Sequence, residues 1–350
     1  MRDYTNRHIF IGIDVHKKTY SLTAFSENQI IKRDKIPACP KQLIAYCHRF
    51  FPNGDIFSAY EAGFSGFTLH RELVKAGINN IVVHPASIEI ASRDRVKTDK
   101  RDSLKIAIQL AAGRLRGINI PSVERESFRM ITRLREQLIR DRTRIGVQIK
   151  GFLNYMSLLG HDHKQRLSKK FVLDLLNLSH EDETFFYIKT MAKRWLEIDL
   201  EIANIEKKLK IQAAEENDLE IIYQSAPGIG AIVSRVLINE LGDMSQFKNE
   251  KSLFSYTGLT PQEYSSGEHT RQGHISRQGK PILRKILVQA AWAAIRKDGI
   301  LKEAYERISS TSGKKRAIVG IARRLIGHIR SCLKKNETYK YKEAETTNIV

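Results

Sequence analysis

The chain opens with strand-like patterning. Ile9 to Val15 is an apolar run interrupted only by Gly12 and Asp14, which predicts a buried strand. Thr19 to Phe25 sets Tyr20, Leu22 and Ala24 against Thr19, Ser21 and Thr23, and Gln29 to Ile36 predicts a third strand. Lys41 to Phe51 carries Leu43, Ile44, Cys47, Phe50 and Phe51 at helical spacing and stops at Pro52. Ile56 to Tyr60 reads as a fourth strand ending on Glu61-Ala62-Gly63. Thr68 to Ala76 reads as a helix closed by Gly77, and Asn80 to Val83 as a fifth strand closed by His84-Pro85. A helix over Ser103 to Leu115 follows. Three strands and a helix, then strand, helix, strand and helix, predict an α/β domain over residues 1–118.

The pattern then changes period. From Ile131 the apolar positions Leu134, Leu138, Ile145, Ile149, Phe152, Met156 and Leu159 fall three, four or seven apart. Met191, Trp195, Ile198, Ile202, Ile205 and Leu209 alternate four and three. Both runs are heptad seams, so residues 119–217 are expected to be a coiled-coil or helical linker and assembly segment. The two helices would pair as an antiparallel hairpin, or between subunits, or sit in an ordinary bundle. Arg142 falls on the first seam and weakens it there. From Leu219 a third unit begins, helical with glycine-rich punctuation, so 218–336 is expected to be a mainly α-helical domain. Residues 337–350 are polar without periodicity and predict a disordered tail.

Charge sharpens the picture. The 350 residues include 59 Lys+Arg and 39 Asp+Glu, a net charge of +20, which calls for a polyanion, with nucleic acid the default. Between Glu268 and Asn336 stand seventeen bases and four acids, a local excess of +13. Such density repels itself unless phosphates neutralise it; the duller alternative is a solvated face. Hydrophobic content of 41% argues against a disordered chain. No run of about 18 apolar residues exists to span a membrane. Asp14 breaks the first apolar run too early for a signal-peptide core. Cys39, Cys47 and Cys332 form no CxxC pair, which excludes a disulfide framework and a four-thiolate zinc site. A cytoplasmic protein is expected.

Four acids stand out by position. Asp14 interrupts a buried strand, where an unpaired carboxylate costs several kcal/mol. Glu61 ends the fourth strand. Asp99 and Asp102 stand three apart and share a helix face. Hard divalent cations take oxygen ligands, and phosphodiester cleavage uses paired cations to hold attacking and leaving oxygens. Each acid also has a plainer reading: Asp99 with Asp102 as a helix cap and its partner, and Glu61 as a turn residue.

The C-terminal unit carries two further signals. Ser225-Ala226-Pro227-Gly228-Ile229-Gly230 is expected to open a helix through Val233, Leu237 and Leu241. Gly228 and Gly230 would let backbone N–H groups approach a phosphate in a helix-hairpin-helix-like motif, unless they simply form a turn. Gly258 to Gly267 and Gly273 to Lys280 are rich in Ser, Gly and base and read as an exposed loop before a helix from Pro281. Composition makes Ser265 and Ser266 turn residues, and no Gly-x-Ser-x-Gly elbow is present.

The segments Ile11-Gly12-Ile13-Asp14-Val15-His16-Lys17, Tyr60-Glu61-Ala62-Gly63 and Lys97-Thr98-Asp99-Lys100-Arg101-Asp102 resemble the signature of DEDD-type transposases. That insertion-sequence group is known as the bridge-RNA-guided recombinases and is related to pilin-gene DNA invertases. The resemblance covers roughly residues 9 to 335. It implies a ribonuclease-H-like (RuvC-like) N-terminal domain whose Asp14, Glu61, Asp99 and Asp102 bind Mg²⁺ or Mn²⁺. It also implies a serine-bearing C-terminal domain in which Ser266, before Gly267, is the nucleophile and Ser265 the fallback. Arg271, Arg277, Lys280 and Arg284 would then face nucleic acid. The implied partners are DNA, a structured guide RNA and further copies of the chain in a dimer or tetramer, in a prokaryotic nucleoid. A RuvC-like structure-specific nuclease, a DNA invertase and a non-catalytic nucleic-acid scaffold are the competing readings.

Overall fold

Alternate residues of the first strand serve two different layers, and this places the candidate acids. A computed structural model describes residues 4–89, 98–158, 167–178, 183–263, 272–276 and 278–341. It divides into two units, Met1–Pro121 and Ser122–Val350.

The first unit holds β1 (His8–Val15), β2 (Thr19–Ser26), β3 (Gln29–Pro37), α1 (Pro40–Phe50), β4 (Asp55–Glu61), α2 (Thr68–Lys75), β5 (Asn79–Val83) and α3 (Asp99–Ala111). The strands lie in the order β3-β2-β1-β4-β5. β1 is antiparallel to β2 and parallel to β4, an arrangement consistent with a ribonuclease-H-like start. Ile9, Ile11 and Ile13 are buried with Leu43 and Cys47 of α1 and Leu69 and Leu73 of α2. Each such aliphatic contributes roughly 1.5–3 kcal/mol on burial. The other parity of β1 faces α3. A Cβ on Gly12 would stand 1.9 Å from the Ser103 carbonyl oxygen, so only glycine allows this approach. Beside it the hydroxyls of Thr23 and Ser103 hydrogen-bond at 2.8 Å.

α3 starts four residues before the sequence pattern suggests and stops four earlier. Thr98 occupies the N-cap position, so Asp99 and Asp102 lie inside the first turn, where the helix dipole favours negative charge. The stop comes at Gly113, whose φ is +66°, with the Arg114 N–H bonded to the Gln109 carbonyl at 2.9 Å.

The second unit begins with α4 (Val123–Tyr155), capped by the Ser122 hydroxyl, then α5 (Lys169–Leu176) and α6 (Glu183–Glu215). α4 and α6 pack as an antiparallel pair within the chain, as the Arg135–Glu206 and Arg142–Asp199 ion pairs and the contacting rings of Phe152 and Tyr187 show. Arg142 therefore does not break its seam. It pairs with Asp199, and its guanidinium lies 5.4 Å from the Trp195 ring centroid. Val172 and Leu175 of α5, a helix absent from the sequence reading, complete this layer's core.

Next come α7 (Asn217–Ser225), α8 (Ala231–Leu241), α9 (Glu250–Thr257), β6 (Pro261–Glu263), β7 (Gln272–Ile275), α10 (Pro281–Ala294), α11 (Gly299–Ser312) and α12 (Lys314–Lys335). The second core gathers Leu237, Leu253, Leu283, Leu287, Leu301 and Leu325 from five of these helices, α8 to α12. The stretch expected to be a loop contains a small antiparallel sheet, β6 with β7, too short and too polar to show a period. The chain also stays docked beyond residue 336: the Tyr339 hydroxyl donates to Asp298 at 2.9 Å, and its N–H to the Ser225 hydroxyl at 2.8 Å. Residues 337–341, expected to belong to the tail, are thus held by Tyr339, and the rest of that stretch, 342–350, lies outside the described residues. Among the described residues no helix is long and apolar enough to cross a membrane.

Candidate functional site

The carboxylates of the first unit converge where β1 ends and α3 begins. Ile13 pairs with Tyr60 in the parallel register, so the next residues, Asp14 and Glu61, stand at the paired C-terminal ends of β1 and β4. Gly12 and Ala59, two residues back, both face α3, so Asp14 and Glu61 project to that side as well. The first turn of α3 brings Asp99 and Asp102 to the same edge.

Within this arrangement Asp14, Asp99 and His16 form a tight group, with one ligand atom from each lying within 4.8 Å of the others. His16 Nε2 is 3.1 Å from Asp14 Oδ2 and 3.2 Å from Asp99 Oδ1. Lys35 of β3 donates to the other oxygen of Asp99, also at 3.2 Å. Asp102 lies three residues further along α3, with Lys105 at 3.5 Å. Glu61 is exposed at its strand end and outside the group of three. Two of the four predicted acids thus meet closely, while the other two flank them. His16 belongs to the same sequence motif, and the signal that marks it is its position two residues after Asp14, just past the end of a buried strand.

The electrostatics suit a cation. Burial lifts the Asp14 carboxyl above its ordinary value; His16 pulls against this, while Asp99 and Asp102 push with it. The Lys35 hydrogen bond holds the Asp99 carboxyl below its ordinary value. The capping reading of Asp99 fails, because Thr98 holds the cap position and the Asp99 carboxylate accepts from Lys35. Two adjacent carboxylates and a buried imidazole nitrogen without a hydrogen-bonding partner form a donor set that fits a divalent metal. Asp14, Asp99 and His16 would hold it.

In the second unit Ser265, Ser266, Arg271 and Arg277 lie outside the described residues. The chain leaves α9 through Gly258 (φ +70°) and returns at Gly279, and a Cβ on Gly279 would stand 2.2 Å from the Gly258 nitrogen. The Lys280 N–H donates to the Tyr256 carbonyl at 3.0 Å, and the Arg284 guanidinium to the Gly279 carbonyl at 3.1 Å. Two glycines therefore clasp the arms of the serine-bearing segment, a role that neither composition nor spacing revealed.

Arg284 is spent on this clasp. Arg323 and Arg330 also turn inward, over the Phe254 ring and onto the Phe247 carbonyl, so the C-terminal bases do not all form one solvated face. Lys280 has its pKa lowered by burial and by Arg133, with Glu240 opposing and Arg129 adding to the fall. Gly228 (φ +78°) lacks a side chain for a packing reason, since its Cβ would meet the Ala290 carbonyl oxygen at 2.3 Å. Gly230 is open and opens α8.

α8 itself is buried almost throughout, including Ser234, Arg235, Asn239 and Glu240. Arg133 grips Glu240 with two bonds of 2.8 and 3.0 Å, and Arg129 donates to the Asn239 and Glu240 carbonyls. Arg125 and Arg235 share Glu216. This network holds the first three turns of α4 on α8.

Comparison with known proteins finds two family models along the chain, the first extending beyond the first unit to the end of α4. Residues 11–157 match the DEDD_Tnp_IS110 transposase family model, and residues 222–306 match the model described as Transposase IS116/IS110/IS902 family. A protein of Sinorhizobium fredii named as a transposase (y4rJ) is 30% identical over 91% of this chain and 90% of its own length. The transposase for insertion sequence element IS1533 of Leptospira borgpetersenii is 27% identical over 82% of this chain and 85% of its own. A second S. fredii protein named as a transposase (y4qE) is 26% identical over 75% of this chain, which spans 65% of that relative. Shared length, paired domain matches and the carboxylate cluster lead to one conclusion: the chain belongs to the IS116/IS110/IS902 family of insertion-sequence transposases and is a DNA transposase.

Proposed function

We propose that the protein cleaves and rejoins DNA strands through a covalent phosphoserine intermediate, with Asp14, Glu61, Asp99 and Asp102 as a divalent-metal site and Ser266 as nucleophile. The observation that carries this reading is the meeting of Asp14 and Asp99 at the C-terminal edge of a ribonuclease-H-like sheet. A bound Mg²⁺ or Mn²⁺ there would polarise the scissile phosphate. The protein's own groups do the rest. The Ser266 oxygen bonds to phosphorus, the bond from phosphorus to the leaving strand's oxygen breaks, and the serine proton passes to that oxygen. One phosphoester replaces another, so the reverse step rejoins strands without ATP. Arg271 and Arg277 beside the serine would stabilise the charge that develops on phosphorus.

The four acids and the serine belong to different units, and the family resemblance supports bringing them together across subunits of a dimer or tetramer. The same resemblance supports a structured guide RNA as the source of target choice, and the +20 charge supports nucleic-acid binding in general.

Trapping of the adduct tests the mechanism. Incubation with DNA carrying the element's ends should yield a protein–DNA adduct whose attached peptide contains Ser266, absent in Ser266→Ala. An adduct of undiminished yield in both Ser266→Ala and Ser265→Ala would sink the covalent route and favour metal-activated water as in a RuvC-like nuclease.

A further inference from the structure

We infer that His16 is a protein ligand of the divalent cation beside Asp14 and Asp99, through Nε2, and that this nitrogen raises the site's relative affinity for Mn²⁺ over Mg²⁺. The inference rests on the metal-binding reading of Asp14 and Asp99 above. His16 follows β1 directly and opens the tight turn to β2, where its backbone N–H donates to the Thr19 carbonyl at 2.9 Å. The hairpin fixes where the imidazole can reach.

Two oxygens stand at 3.1 and 3.2 Å from Nε2, yet neither meets it in hydrogen-bonding geometry, and the atom is sealed from solvent. A histidine serving only as an ion-pair partner aims its N–H at one carboxylate oxygen. This nitrogen aims at neither. Ligand atoms that surround a common point behave in this way, because each faces the centre and not its neighbour. The separations agree: bonds of about 2.0–2.1 Å at right angles place adjacent ligand atoms about 3 Å apart. Asp99 is arranged to match, since Lys35 engages its Oδ2 and leaves Oδ1 on the His16 side.

The nitrogen changes which cation is favoured. Mg²⁺ is bound through carboxylate, phosphate and water oxygens, and imidazole suits transition metals. A site in which an imidazole joins the carboxylates therefore shifts towards Mn²⁺.

The test uses Mn²⁺ alone with the full-length protein. Electron paramagnetic resonance of the free ion measures binding, and pulsed measurements detect nitrogen hyperfine coupling to the bound ion. The wild type should bind Mn²⁺ with nitrogen coupling. His16→Gln should lose the coupling and bind Mn²⁺ roughly tenfold more weakly. Its affinity for Mg²⁺, read by competition, should change less. Asp14→Asn should bind neither ion at this site. Asp14-dependent Mn²⁺ binding without nitrogen coupling in the wild type would overturn the role of His16 and leave the carboxylate site standing, even if His16→Gln fails to fold. Coupling that persists in His16→Gln overturns it too. Absence of any Asp14-dependent Mn²⁺ binding would remove the metal reading itself.

Discussion

Replacing Gly12 with alanine would test whether α3 is seated where its acids can reach Asp14. The new Cβ would stand 1.9 Å from the Ser103 carbonyl oxygen and 2.6 Å from the Ala107 nitrogen, where real Cβ atoms do not come within 3.0 Å. Both obstacles are backbone, so no rotamer change relieves them, and α3 must retreat from β1 by about 1 Å, a misplacement that costs on the order of a hundredfold in rate when it reaches a catalytic group. Overpacking of this kind costs about 3 kcal/mol when the neighbours cannot turn aside. For a unit of this size that lowers the melting temperature by roughly 10 °C. The retreat also carries Asp99 and Asp102 with it. Calorimetry should therefore show one destabilised transition, and hydrogen exchange should show faster amides along α3. Mn²⁺ binding and strand transfer should both fall. Both tryptophans, Trp195 and Trp292, lie in the second unit, so the fluorescence-detected transition should stay where it is. A variant that melts within about 2 °C of wild type, with unchanged exchange along α3, would refute the claim that this close approach positions the acids.

Two further outcomes follow from the ionic network of the second unit. Glu240 is fully buried beside the mostly buried Arg129 and the half-exposed Arg133, so Glu240→Ala leaves Arg129 without its counter-charge and should cost about 3 kcal/mol, read as a lower urea midpoint by tryptophan fluorescence. A change under about 1 kcal/mol would show that the pair is not holding α4 on α8. Burial tends to raise the Glu216 carboxyl, but the Arg125 hydrogen bond and the charges of Arg235 and Arg125 outweigh it, leaving it below the ordinary 4.5. A carboxyl depressed by folding binds protons more readily in the unfolded chain. Its contribution is therefore whole above about pH 4.5 and is lost as pH falls through the lower folded value. The midpoint of the second unit should decline in acid, and Glu216→Gln should flatten that decline while lowering the midpoint at neutral pH. Equal acid slopes in the two proteins would contradict the assignment.

Much of the first unit could be read from residue order. Five strands and the first two helices fall where period-two and period-3.6 patterns place them, because each element buries one face and the pattern records that burial. The motifs around Asp14, Glu61 and Asp99 identified the family before any contact was known. The limits of α3 were less legible, since Thr98 and Gly113 act through backbone conformation and leave no hydrophobic trace. α5 escaped notice because eight residues are too few to establish a period. Arg142 looked like a flaw in its seam, because a seam shows only one helix. Asp199 and Trp195, which accommodate it, sit on the other helix, more than fifty residues away.

The sequence by itself determined the alternation of strand and helix, the two long amphipathic helices, the cationic excess and the chemical kinds of residue available for phosphate chemistry. Only the tertiary structure decided which of them meet. Asp14 and Asp99 are 85 positions apart, and they come together because glycine at position 12 lets α3 lie on β1. The same packing gives His16 a place between them. In the second unit, separate contacts turn Arg284, Arg323 and Arg330 from the charged surface that composition suggested into internal braces. Periodicity reports which face of an element is buried. The partner of that face, and so the site, is set by contacts between residues far apart in the chain.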